Sequence, residues 1–413
     1  MLLRMGELLG QTIELDVTNI AHGGISVARH EGRVVFVSDT IPGERVRARV
    51  TSDAKKSFLR ADAVEVLEAS PHRREHVWPE AAIERDPDNR AGGAEFGHIE
   101  LAHQRELKRQ VVAESLQRMA KVDWDVTVEP VPNETADGTG WRTRVRLHVD
   151  DSGRPGPFAA RSHRVIPVTS LPLATPELAE AAPLAENFRG HDTVDILAPS
   201  TGGVRLIVGE QKPTTITEVV AGREFRLADT GFWQVHRGAA TTLTEAVQFA
   251  IDPQVFDPTA ANLDLYGGVG LLAAAVADRF GPATRITSVE SDSRATDFAA
   301  ENLSEWLGAH AETARVERWV TRFAADATAA DRERLRRSTV VLDPPRSGAG
   351  RDVVDALATL APAQVIYVAC DPVAFARDVS FFSGHGYTLR ALRACDLFPN
   401  THHVEAVGTL SRL

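Results

Sequence analysis

Alternation of apolar and polar positions dominates the first sixty residues. Gln11-Thr-Ile-Glu-Leu-Asp-Val17 sets Ile13, Leu15 and Val17 on one face, and Arg33-Val-Val-Phe-Val37 is a second short run. Gly23-Gly24, Pro42-Gly43 and Asp53 punctuate these runs at intervals of about eight to twelve residues, which predicts a small antiparallel barrel over residues 1–68. Residues 69–230 read as a mixed α+β region. A stretch rich in Pro, Gly and charge, Ser70 to Gly97, precedes a helical stripe of Leu107, Val111 and Leu116, and strand-like runs follow at 143–149, 194–197 and 204–208. From Phe232 the texture becomes strand then helix, repeatedly: strands at 262–266, 285–290, 340–343 and 365–369, each followed by a helical pattern. That rhythm over 231–413 predicts a doubly wound, mostly parallel sheet, closed by a final antiparallel pair at 388–397 and 404–410.

Composition narrows the class. A chain of 413 residues with 43% hydrophobic and 25% charged content has the material for two or three folded cores. Its longest apolar stretch, Leu263 to Ala277, is broken by Asp264 and glycines, so no membrane partner is expected. With no secretory leader pattern and two cysteines, no disulfide framework is available and a cytoplasmic setting is expected. The net charge of −11 argues against nucleic acid, yet Arg45, Arg47, Arg49 and Arg142, Arg144, Arg146 recur with period two. On a strand, each triplet would share one face and could meet a polyanion.

The chemistry gathers at predicted strand ends. Asp264-Leu-Tyr-Gly-Gly-Val-Gly270 passes from strand to helix through glycines, where backbone can approach a ligand closely. Glu290 ends the next strand about 20 positions on, placed to accept hydrogen bonds from ribose hydroxyls. Asp326, after Phe323 to Ala325, is a candidate acceptor for an adenine amino group, or else a helix cap. Asp343-Pro-Pro-Arg346 leaves its strand on a rigid exit that frees the carboxylate for a ligand. Cys370-Asp371-Pro372 puts a thiol at a strand end ahead of a helix start, a setting expected to lower its pKa; the alternative is a buried filler, as read for Cys395. No ligand spacing around His402 and His403 supports a metal.

In order, Gly231-Phe-Trp-Gln234-Val, Asp264-Leu-Tyr-Gly-Gly-Val-Gly, Glu290, Asp343-Pro-Pro-Arg, Tyr367-Val-Ala-Cys370-Asp-Pro and Phe398-Pro-Asn-Thr-His-His-Val-Glu405 resemble the S-adenosylmethionine-dependent RNA 5-methyluridine methyltransferases. The N-terminal segment is similar to a TRAM domain, and Trp141-Arg142-Thr-Arg144 resembles the family's arginine-bearing central strand. The resemblance implies a Rossmann-like class I methyltransferase domain. It implies that Cys370 adds to carbon 6 of uracil and that Glu405 removes the carbon 5 proton. It also implies cofactor contacts by Gln234, Tyr266, Gly268, Gly270, Glu290, Asp326 and Asp343, and RNA contacts by Arg142, Arg144, Asp343 and Arg346. The TRAM-like barrel favours 23S ribosomal RNA as partner, with the transfer RNA T loop as runner-up, and a monomer is expected.

The chain departs from its relatives in three places. Where many carry cysteines for an iron–sulfur cluster it reads Arg90-Ala-Gly-Gly-Ala-Glu95, so no cluster is expected. Asp371 stands where Asn is common, adding a negative charge beside the thiol, and Gly267 where Cys is frequent. Two other readings share some motifs: an exocyclic-amine methyltransferase, which needs neither Cys370 nor Glu405, and a non-catalytic RNA-binding factor on the same scaffold.

Overall fold

The computed structural model describes residues 6–412. Strands β1 (Thr12–Ala21), β2 (Ile25–His30), β3 (Arg33–Ser38), β4 (Arg45–Ser52) and β5 (Phe58–Glu68) close into a barrel in the order β1-β2-β3-β5-β4. The alternating apolar set turns inward, with Leu15, Val17, Val35, Val46, Ala48, Leu59 and Ala61 in its core. The first arginine triplet turns outward, but not towards an open basic face. Arg45 lies 2.8 Å from Glu14, Arg47 pairs with Glu65, and Arg49 lies 3.0 Å from Asp86 and 3.1 Å from Asp88. The triplet is therefore charge-compensated, by Glu14 and Glu65 on the neighbouring strands and by Asp86 and Asp88 from a later turn, which the sequence of one strand cannot show.

The stretch between barrel and first helix is built on Arg90. This side chain is 2% exposed, donates 2.7 Å to Asp39 Oδ2 on the barrel, and donates to the carbonyls of Arg85 and Ile83 at 3.0 and 2.8 Å. One guanidinium thus satisfies three acceptors and braces a loop that the cysteine count leaves without a cluster. Helix α1 (Leu101–Ser115), continued by a π turn over Leu116–Ala120, and β6 (Val128–Pro130) then pack Val112, Leu116, Val126 and Val128 into the core of the C-terminal domain. The segment 69–230 thus contributes one helix and one strand to its neighbour.

Strands β7 (Arg144–Val149), β8 (Pro155–Gly156), β9 (Thr193–Leu197) and β10 (Arg205–Val208) form a small sheet in the order β10-β9-β7-β8, with α2 (Pro176–Ala181) alongside in sequence. A hairpin of β11 (Thr215–Val220) and β12 (Arg223–Ala228) leads to α3 (Ala239–Ala250). The remaining chain alternates: β13 (Asn262–Leu265), α4 (Leu271–Phe280), β14 (Ile286–Glu290), α5 (Ser293–Asn302), β15 (Ala309–Thr313), α6 (Val316–Asp326), α7 (Ala329–Arg336), β16 (Thr339–Leu342), α8 (Gly350–Leu360), β17 (Gln364–Ala369), α9 (Pro372–Gly384), β18 (Tyr387–Asp396) and β19 (Glu405–Arg412). These build one sheet in the order β15-β14-β13-β16-β17-β19-β18-β6. Strands β13 to β17 are parallel, and β19 is inserted antiparallel between β17 and β18.

Helices cover both faces, so β13, β16 and β17 are buried along their whole length; β16 and β17 read as nearly continuous apolar runs, while β13 also buries Asn262 and Asp264. Helix α9 shows how locally this is specified. Asp371 caps it by accepting from Val373 N and Ala374 N at 3.0 and 2.8 Å, Pro372 fills the first turn, and Phe375, Val379 and Phe382 turn inward. No helix among the described residues is long and apolar enough to cross a membrane.

Candidate active site

Parallel pairing brings the strand ends together. Leu265 aligns with Val289 on one side and Leu342 on the other, and Leu342 aligns with Tyr367. Tyr266, Glu290, Asp343 and Cys370, which follow these strands or end them, therefore share one edge of the sheet. Antiparallel β19 supplies the last member. Its register pairs Ala369 with Ala406, the residues next to Cys370 and Glu405, and the Glu405 charge acts on the thiol.

The loop before Glu405 is held from the central region. Asn400, fully buried at φ 66°, donates to the carbonyls of Asp137 and Gly138 at 3.1 and 2.7 Å, and its side-chain oxygen accepts from Arg74 and Gln104 at 2.6 and 3.0 Å. Below it, Lys108 on α1 donates 2.5 Å to buried Asp396 and 3.0 Å to the carbonyl of Phe398. The loop after Asp343 is held by Asp378. That carboxylate accepts from Tyr367 Oη at 2.6 Å and from Ala349 N and Gly350 N at 2.8 and 3.1 Å. Asn400 and Asp378 escaped the sequence reading, since a buried polar side chain on a helix or turn carries no spacing signal.

Electrostatics at this edge are acidic. Burial, then the charge of Asp264, pushes Asp343 up to about 7. Glu405, 5% exposed, is held well above the usual carboxylate range by burial and then by Asp343, while Arg346 pulls the other way. Cys370 is pushed up to about 12, first by burial, then by Glu405 and Asp343, with Arg346 opposing and Asp371 adding a little. This corrects the expectation of a thiol acidified by the helix start. The first N–H groups of α9 are already taken by Asp371, and burial, then the nearby carboxylates, set the direction.

The other candidates divide. Arg346 stands beside His403, Nη2 to Nε2 3.3 Å, and Arg142 is largely enclosed near Glu95 and Arg346. Arg144 turns away: its Nη1 donates 2.7 Å to the carbonyl of Gly231, so it braces the turn ahead of Gln234. Arg146 is engaged by Asp195, which leaves the second triplet without a shared open face either. Asp326 is misplaced by the sequence reading. It is the exposed last residue of α6, carried about 15 Å along the helix from the strand-end edge, because β15 ends at Thr313. The acid near that edge is Glu317 in the first turn of α6, which accepts from Tyr266 Oη at 3.4 Å.

The glycine turn suits a nucleoside-bearing cofactor. Gly268 has φ +54°, no heavy atom within 4 Å of where a Cβ would stand, and an N–H that donates 3.1 Å to Glu290 Oε2. Tyr266 at φ 65° and Gly270 at φ 87° shape the same turn. Gly267 has no such room, since a Cβ there would meet Ser288 Oγ at 2.0 Å. Among the described residues no group of three or more His, Cys, Asp or Glu could hold a metal ion.

A glycine turn and acid at the strand ends of a parallel sheet closed by an antiparallel strand define an α/β nucleotide-cofactor enzyme, and the comparisons specify it. Residues 6–64 match the TRAM domain, and residues 193–413 match the tRNA (Uracil-5-)-methyltransferase family. The chain belongs to that family and is an S-adenosylmethionine-dependent RNA methyltransferase. It is 37% identical to an uncharacterized RNA methyltransferase of Streptomyces avermitilis over 97% of this chain and 98% of that protein. A Streptomyces coelicolor counterpart is 39% identical over 98% and 93%. The fold is similar to that of Pyrococcus abyssi tRNA (uracil-54, C5)-methyltransferase in complex with S-adenosyl-L-homocysteine, with TM-score 0.69 and 20% identity over 96% of this chain and 100% of that one.

Proposed function

We propose that this enzyme methylates carbon 5 of one uridine in RNA through a covalent intermediate, with Cys370 as nucleophile and Glu405 as base. The observation that supports this reading is the β17–β19 register, which pairs Ala369 with Ala406, the neighbours of Cys370 and Glu405. S-adenosylmethionine, when bound, supplies a methyl electrophile and a positive charge. Gln234, Tyr266, Gly268, Gly270, Glu290 and Asp343 are the residues proposed to hold it, and Arg142 and Arg346 face the RNA.

Cys370 gives its proton to solvent and its sulfur bonds to carbon 6, sending the carbon 5–carbon 6 π pair towards the carbon 4 oxygen. Carbon 5 of the enolate would then take the methyl group as the methyl–sulfonium bond breaks, its electron pair staying on sulfur and S-adenosylhomocysteine leaving as a neutral thioether. Glu405 then takes the carbon 5 proton, the double bond re-forms, and the carbon–sulfur bond breaks to return Cys370. Arg346, which opposes the acidic cluster around the thiol, favours the first step. The base has to leave its stack to reach the thiol, which favours a loop over a duplex.

We propose 23S ribosomal RNA as substrate, a choice supported by the TRAM domain; a transfer RNA T-loop uridine is the competing outcome. Mapping 5-methyluridine in cellular RNA with and without the gene decides between them. RNA bearing 5-fluorouridine tests the chemistry, since fluorine cannot leave as a proton. Wild-type protein should accumulate a Cys370-linked adduct and Cys370→Ala none; turnover on uridine without any adduct on 5-fluorouridine would refute the covalent route.

A further inference from the structure

The barrel reaches the candidate nucleophile. The turn between β1 and β2 places His22 Nε2 2.9 Å from Asp371 Oδ2, next in sequence to Cys370. Gly24 in that turn packs so closely on the loop before Glu405 that a Cβ there would meet His402 Cβ at 2.6 Å. A small cavity of about 20 Å³ between the two is lined by Ala21, His22 and Gly23 on one side and by Cys370, Asp371 and His403 on the other.

Asp371 has two oxygens with different tasks. Oδ1 caps α9 through the N–H groups of Val373 and Ala374. Oδ2 points at His22, and because a carboxylate only accepts, Nε2 of His22 carries the hydrogen. Without that donor, a charged oxygen would stand next to a thiol already surrounded by carboxylates.

We propose that His22 is a positioning residue for the methyl transfer: by binding Asp371 Oδ2 it fixes the strand end that carries Cys370 and draws the Asp371 charge away from the sulfur. The barrel then acts in the chemistry as well as in RNA binding. This rests on the assignment of Cys370 as nucleophile. The groups facing the thiol are Asp343, Arg346 and Glu405 from the sheet edge, Asp371 beside it, Lys108, His402 and His403 around the same small cavity and, through Asp371, His22 from the barrel.

The test is made on the full-length protein with two readouts: methyl transfer to RNA, and the pH profile of Cys370 alkylation by iodoacetamide followed by mass spectrometry. His22→Ala is expected to lower kcat about tenfold, the loss of one hydrogen bond to a charged group, with KM for S-adenosylmethionine little changed. Its alkylation profile should move to higher pH. His22→Gln, which keeps an N–H donor, should stay near wild type. Asp371→Asn, which keeps the cap acceptor and removes the charge, should restore both readouts in the His22→Ala background. If His22→Ala does not fold, His22→Phe keeps a ring without a donor and takes its place. An unchanged alkylation profile in the folded donorless variant, or failure of Asp371→Asn to restore it, overturns the proposal. Alkylation needs neither RNA nor methyl donor, so that failure is distinct from absence of methyl transfer by the wild-type protein.

Discussion

Glu405 and Asp343 work under opposite demands from burial and chemistry. Glu405 begins with a raised affinity for protons, which suits the role of base proposed for it above. Glu405→Gln should still allow addition and methyl transfer and then stall, so an enzyme–RNA adduct carrying the methyl group should persist on a denaturing gel and turnover should fall about 10²- to 10⁴-fold. Asp343 and Asp264, each pushed up to about 7, give a stability prediction. The folded state keeps protons that the unfolded carboxyls release near pH 4, so their contribution is full below that and is lost as pH rises towards 7. Asp343→Asn should therefore flatten the fall in melting temperature between about pH 4 and pH 7, read as the difference from wild type across that range. The place of Cys370 at a strand end ahead of a helix was legible in one tripeptide. Its acidity was not, because it depends on Asp343 and Glu405, which only the sheet brings near.

At the scale of elements, two loops that look unstructured in sequence are fixed by single polar side chains. Removing Arg90 leaves Asp39 and two carbonyls without their donor; Arg90→Ala should cost about 3 kcal/mol in a denaturant melt. Asn400→Ala should loosen the approach to Glu405, lowering kcat more than it raises KM in steady-state assays. The strands nearest the site were readable because each is a short apolar run ending in an unusual motif. Strand β15, Ala-His-Ala-Glu-Thr, was missed: it lies at the edge of the sheet, none of its residues is fully buried, and its apolar positions are only two alanines. That omission moved the expected adenine acceptor to Asp326, one helix too far.

The whole molecule carries a net charge of −11 and spends much of its arginine on itself. With Arg45, Arg47, Arg49 and Arg146 paired to acids, the two arginine triplets offer RNA few free cations. Binding affinity should therefore fall only shallowly between 50 and 200 mM salt, with a logarithmic slope of about −3 or less in filter-binding titrations. The domain rhythm was visible in the sequence, whereas the exchange of parts between domains was not, since it rests on a pairing of Ala394 with Val128 across most of the chain. That pairing makes β6 the guard of a raw edge. A fragment cut to residues 193–413 would keep every motif of the methyltransferase family yet expose the backbone of β18 and the apolar flank of α9, so it should self-associate through that edge instead of remaining dispersed.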